Sequence, residues 1–91
     1  MALSIQKIGV LGGGQMGSGI AQVAATHGFS VVLVDKNDNN LNRAQTNIDK
    51  SLQRLVSKKT ISEEQYDAIR GRISMSRAMA DLEPVDIIIE A

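Results

Sequence analysis

The segment "IGVLGGGQMGSGIAQ" constrains this chain more than any other. Three consecutive glycines, Gly12, Gly13 and Gly14, stand between a β-branched apolar run and a run with helical periodicity. Glycine favours no regular structure and loses more conformational freedom on folding than any other residue. Either the backbone turns sharply here or another group comes very close to it. The spacing Gly12-x-Gly14-x-x-Gly17 meets both demands in a strand–turn–helix unit that cradles a pyrophosphate. Gly12 permits the tight turn, Gly14 lets the backbone approach the phosphates, and Gly17 allows close packing of helix on strand. The helix N-terminus, with its unpaired N–H groups, then faces the anion. Gly13 occupies the variable position of this pattern, and its missing side chain reads as incidental.

The flanking residues supply the context such a motif needs. Ile5–Leu11 reads as a buried strand stopped by the glycines. From Met16 a helix carries Met16, Ile20, Val23 and Ala24 on one stripe and Gly17, Ala21, Ala24 and Gly28 on a second, nearly featureless one. His27-Gly28 gives a C-cap. Phe29–Asp35 is apolar almost throughout, as parallel strands covered on both faces are. Asn37 or Asp38 caps a long helix with Leu41, Ala44, Ile48, Leu52, Leu55 and Val56 on one face. Ser62–Gln65 has capping-box spacing and opens a shorter helix toward Arg70. A weak strand is expected around Ile73. Pro84 then breaks the chain before "VDIIIEA", a buried-looking strand running to Ala91. Strands alternating with helices in this order predict an α/β fold, a doubly wound parallel sheet of Rossmann type. A helix over Asp38–Lys58 is about 30 Å long, against about 17–20 Å for a typical strand. It forms an extended helical insertion between strands two and three and overhangs the sheet. No helix follows "VDIIIEA", so a truncated Rossmann domain is expected, with the rest of it beyond Ala91.

Asp35 ends the second strand eighteen residues after Gly17, about where a carboxylate meets an adenosine ribose 2′-hydroxyl. That carboxylate repels a 2′-phosphate, so NAD is expected rather than NADP, although neighbouring Lys36 partly offsets the repulsion. A competing structural reading remains: glycine turns occur without ligands, and a strand-end aspartate can simply cap the following helix.

Composition narrows the partners. Ten basic and ten acidic residues cancel, leaving no electrostatic footprint for nucleic acid or an anionic membrane. One Phe, one Tyr and no Trp provide no stacking platform for bases. Without cysteine there is no disulfide, thiolate metal site or cysteine nucleophile, which fits a reducing, cytoplasmic setting. No apolar run approaches membrane-spanning length.

The stretch "IGVLGGGQMGSGIAQVAATHGFSVVLVD" resembles the opening of the 3-hydroxyacyl-CoA dehydrogenases, 3-hydroxybutyryl-CoA dehydrogenases among them. The continuation Gly19–Gln22 after Gly-Gln-Met-Gly is more particular than the general fingerprint. The resemblance continues through "SLQRLVSKKTIS" to "VDIIIEA" and covers the first part of the usual family length. It implies an NAD-dependent oxidoreductase of fatty-acid metabolism whose substrate is an acyl-CoA thioester and whose full-length form is a homodimer. Gly12, Gly13, Gly14, Gln15, Met16 and Gly17 would hold the pyrophosphate and Asp35 the ribose, with Ala91 under the nicotinamide end. Ser51 and Lys58 match positions that in this family contact coenzyme A. They are seven residues apart, hence on one helix face within about 20°. Lys50, Arg54 and Lys58 make a basic stripe suited to CoA phosphates, although such a stripe is equally a solvated face.

The family's catalytic histidine, its orienting glutamate and the nearby serine and asparagine all follow the "VDIIIEA" strand, so no catalytic residue is expected here. His27, at a helix end, reads as a capping residue, and Glu90 receives no role. The expected unit is therefore the N-terminal part of an NAD-binding domain, residues 1–91. The substrate and dimerisation domain is expected beyond it, and this part alone should be inactive. Two other readings stand beside this one. A dinucleotide-sensing module would use the same loop without chemistry. An S-adenosylmethionine-dependent methyltransferase shares the glycine-rich loop and strand-end acid, though usually with different glycine spacing.

Overall fold

The computed structural model describes residues 5–91. β1 (Lys7–Leu11), α1 (Gln15–Thr26), β2 (Ser30–Val34), α2 (Asp38–Ser57), α3 (Glu63–Gly71) and β3 (Ile73–Ser76) follow one another. A 3₁₀ turn at Met79–Leu82 then leads to β4 (Ile87–Glu90). The four strands are parallel, in the order β3-β2-β1-β4. Chain order therefore steps one way from β1 to β3 and then crosses back past β1, which creates a topological switch point between β1 and β4. Register aligns Leu11 with both Val34 and Glu90, and Val34 with Ser76. The residues leaving all four strands thus emerge along one edge.

β2 is the most enclosed strand because both its faces are covered. Val31 and Leu33 join Ile8, Val10, Ala21, Ala25, Ala44, Ile48 and Leu52 under the helices. Val32 and Val34 meet Leu82 and Val85 on the opposite face. Gly9 matters there for its size: a Cβ would stand 2.6 Å from Leu82 Cδ2, so the 3₁₀ turn lies directly on β1. Asp86, which the sequence reading passed over, accepts the N–H groups of Gln6 and Lys7 and ties the entry of β4 to the start of β1.

The helices form for local reasons that the sequence displays. Asn37 is the N-cap of α2, its side chain accepting from Asn39 and Asn40 N–H. Ser62 and Gln65 close a capping box on α3. His27 is the C-cap of α1, and Gly28 after it has φ +95°.

Several expectations shift. β1 begins at Lys7 rather than Ile5, and β2 spans Ser30–Val34 without Phe29 or Asp35. α1 starts at Gln15, one residue earlier than expected, and α2 ends at Ser57 with Lys58 as its cap. The buried stripe of α1 is Gly17, Ser18, Ala21 and Ala25. Met16 and Val23 are 68% and 60% exposed, because the thin stripe seats the helix on the sheet and turns the larger side chains outward. Val56 stays outside the core that takes Leu41 to Leu52, with Leu55 at its margin. β4 is not buried: Ile87 and Ile88 are exposed, since only its β1 side carries a neighbour among the described residues.

Candidate functional site

The glycine loop leaves β1 at the switch point. Gly12 takes φ +115°, a conformation that L side chains rarely adopt. Its N–H donates to Val34 O at 2.8 Å, which folds the loop onto β2. Gly17 is tighter still: a Cβ there would lie 1.7 Å from Gly12 O. Helix and loop are therefore in backbone-to-backbone contact. At Gly14, by contrast, a Cβ would meet nothing within 4 Å. This residue is the N-cap of α1 and makes no side-chain hydrogen bond to the first turn. The open space lies where the helix N-terminus presents its N–H groups, and this fits a pyrophosphate.

Gly13 is more closely surrounded than the sequence reading implies. It is buried, and a Cβ would meet Asn40 O at 3.3 Å and Asp35 Cβ at 3.4 Å. A side chain there requires the start of α2 to give by a few tenths of an ångström. Gly13 N–H also donates to Asp35 Oδ2 at 2.8 Å.

Asp35 joins loop and helix. Oδ2 accepts from Gly13 N–H and, at 3.1 Å, from Asn40 Nδ2. Oδ1 accepts from Asn37 N–H at 2.9 Å. Gly13 N–H first and Asn37 N–H second hold the carboxyl below its ordinary value; burial opposes them, and Asn40 adds a lesser lowering. Asp35 thus organises the turn before α2 and lies against the glycine loop. Arg43 Nη2 donates to Asn40 Oδ1 at 2.6 Å, so the guanidinium is linked to Asp35 through one amide.

The other expected site residues fall in three places. Ala91 lies against the loop: its N–H donates to Leu11 O at 2.9 Å, and its carbonyl is 2.8 Å from where a Gly12 Cβ would be. Gln15 and Met16 occupy the exposed first turn of α1, with Met16 in an apolar groove beside Val23, Phe29 and Ile89. Ser51 faces a polar groove of about 330 Å³ between α1 and α2, together with Gln22, Lys50 and Arg54. Gln22 Nε2 donates to its hydroxyl oxygen at 2.9 Å. Lys58 is exposed at the end of α2 and does not line that groove. Lys50 and Arg54 are thus gathered with Ser51, while Lys58 stands apart. His27 Nδ1 is spent on its own helix, 2.9 Å from Val23 O.

Sequence reasoning missed Gln22, Asn40 and Arg43. The amides contribute through contacts made across elements or turns, and spacing alone does not show these.

A four-stranded parallel sheet with a glycine turn at its switch point, an open helix N-terminus and an acid at the next strand end defines a dinucleotide-binding domain of Rossmann type. Residues 7–91 match the family model described as "3-hydroxyacyl-CoA dehydrogenase, NAD binding domain", and the chain belongs to that family. It is 44% identical over 90 residues to a 3-hydroxybutyryl-CoA dehydrogenase of Bradyrhizobium diazoefficiens, covering 99% of this chain and 31% of that one. A 3-hydroxybutyryl-CoA dehydrogenase of Mycobacterium tuberculosis is 36% identical, with coverage of 100% and 32%. The crystal structure of (S)-3-hydroxybutyryl-CoA dehydrogenase from Ralstonia eutropha superposes with a TM-score of 0.93 at 39% identity, covering 97% of this chain and 31% of that one. The chain spans about a third of the length of these relatives. The match favours the dehydrogenase reading over the methyltransferase and cofactor-sensing readings.

Proposed function

We propose that this chain is the cofactor-binding part of an enzyme that oxidises a 3-hydroxyacyl-CoA, 3-hydroxybutyryl-CoA foremost, to the 3-oxo thioester. The observation that carries the proposal is the loop itself: Gly17 pressed on Gly12, open space at Gly14, and Asp35 bonded to Gly13 N–H. NAD accepts the substrate hydride when bound. The first-turn N–H groups of α1 offset the pyrophosphate charge, and Asp35 accepts a ribose hydroxyl. Ala91 shapes the floor of the cleft toward the nicotinamide end. The proposal gives Ser51 and Lys58 to the CoA moiety, with Ser51 held by Gln22 and flanked by Lys50 and Arg54.

His27 Nδ1 lies on Val23 O at the end of α1, so the proposal assigns no general base among residues 1–91. Residues 1–91 then act as the first part of an NAD-binding domain in a cytoplasmic homodimer. No helix among the described residues is long and apolar enough to cross a membrane. The test is direct. Residues 1–91 should bind NADH without turnover, and the longer polypeptide should form NADH from NAD and 3-hydroxybutyryl-CoA. Turnover by residues 1–91 alone, or NADH binding by neither, contradicts the proposal.

A further inference from the structure

Hydroxyl groups on helices commonly turn back onto their own backbone, and two on α1 do so. Ser18 Oγ donates to Gln15 O at 3.0 Å and Thr26 Oγ1 to Gln22 O at 2.7 Å. Ser51 on α2 behaves differently. A serine hydroxyl carries one hydrogen and two acceptor positions. Gln22 Nε2, reaching over from α1, donates to Ser51 Oγ at 2.9 Å and fills one acceptor position. Among the described residues no group accepts the Ser51 hydrogen, and an amide NH₂ group cannot, because it only donates. The hydrogen is therefore free for the groove that Ser51 lines.

That groove is built for acceptors. Lys50 and Arg54 line it beside Ser51, and its lining contains no carboxylate. Among the described residues the ion pairs are Arg70 with Asp49 and Arg77 with Asp38, so neither groove cation is spent on an acid. The oxygens of a phosphate only accept hydrogen bonds at neutral pH. A hydroxyl standing between two cations helps to hold such a group when it presents its hydrogen, and opposes it when it presents a lone pair.

We propose that Gln22 is a positioning residue that fixes the polarity of Ser51. By donating to Oγ it directs the hydroxyl hydrogen into the groove, where Ser51 donates to a phosphate oxygen of coenzyme A beside Lys50 and Arg54. The inference rests on the reading that gives Ser51 to the CoA moiety.

The experiment titrates the protein with coenzyme A by calorimetry, beside Ser51→Ala, Gln22→Met, Gln22→Glu and the two double variants that pair each Gln22 change with Ser51→Ala. Both positions are half-buried on helix surfaces, and thermal melts check that each variant folds. Ser51→Ala loses one charge-assisted hydrogen bond and should weaken binding about tenfold. In Gln22→Met the hydroxyl rotates among three staggered positions, so about threefold should be lost. On the Ser51→Ala background the same change should cost nothing, because Gln22 acts through Oγ. Gln22→Glu accepts the hydrogen and should weaken binding more than Gln22→Met, and on Ser51→Ala only the effect of its charge should remain. If Gln22→Met binds as the parent does, or either Gln22 change costs the same with and without the hydroxyl, this inference is overturned and the reading of Ser51 stands. Binding unchanged in Ser51→Ala, or no binding of coenzyme A by the protein, overturns both.

Discussion

Gly17→Ala and Gly19→Ala make the same chemical change two residues apart on α1, and the structure predicts opposite outcomes. At Gly19 an added Cβ meets nothing within 4 Å. Alanine there removes the entropy cost of a helical glycine and should stabilise the protein by about 0.5–1 kcal/mol. At Gly17 the same gain is available, but the Cβ would stand 1.7 Å from Gly12 O and 2.9 Å from Gly12 C. Both are backbone atoms of a loop already fixed by the Gly12 N–H bond to Val34 O. No side chain can rotate away, so α1 must lift or the loop must retreat by about 1 Å. Overpacking of this kind costs about 1–3 kcal/mol, and contact with backbone puts it at the upper end. The net for Gly17→Ala is a destabilisation of about 2 kcal/mol. Urea denaturation of the two variants beside the parent protein gives both signs, and NADH titration gives the functional half. Displacing the loop should weaken NADH binding in Gly17→Ala and leave it near parent strength in Gly19→Ala. Equal stability changes at the two positions, or a Gly17→Ala variant that binds NADH as the parent does, would refute the argument that backbone contact dictates glycine here.

Asp35→Asn should weaken NADH binding about tenfold, because it removes a charged acceptor facing the ribose, and isothermal titration measures this. The variant should at the same time narrow the gap between NADH and NADPH; a widened gap would contradict the electrostatic reading. Acid should act through Asp35 and Asp86, whose carboxyls are both held below the ordinary value of 3.8, the latter by the N–H groups of Gln6 and Lys7. A depressed folded value means that the ionised form favours the fold. Their contribution is complete above 3.8 and is lost as pH falls through the lowered values. Thermal midpoints recorded downward from about pH 5 should therefore drop, and Asp86→Asn should flatten the drop. An unchanged pH profile in that variant would remove Asp86 from the account.

Much of the architecture was legible because it is local. Strand, glycine turn, helix and strand-end acid follow from β-branching, helical periodicity and cap chemistry within windows of a few residues. The box at Ser62 and Gln65 and the His27-Gly28 helix end are of the same kind. Legibility failed where a residue's partner is remote in sequence. Met16 and Val23 have the periodicity of a core stripe, yet thin residues on the neighbouring stripe let α1 sit so low that the larger ones turn outward. "VDIIIEA" has the composition of a buried strand, but burial requires neighbours on both sides, and among the described residues only β1 supplies one.

The sequence by itself determined the fold class and pointed to a cofactor loop, since Gly12, Gly14, Gly17 and Asp35 carry their meaning in type and spacing. The family was legible only through the resemblance of the longer stretch from Ile8 to Asp35. Only the tertiary structure decided what surrounds them. It showed that Gly13 packs closely against α2 and that Asp35 accepts from Gly13, Asn37 and Asn40. It also showed that Asn40 joins the carboxylate to Arg43 and that Gln22 reaches Ser51 across the helix seam. Spacing encodes the conformation of a segment, whereas the occupancy of a hydrogen-bonding position depends on which groups packing brings within about 3 Å of it.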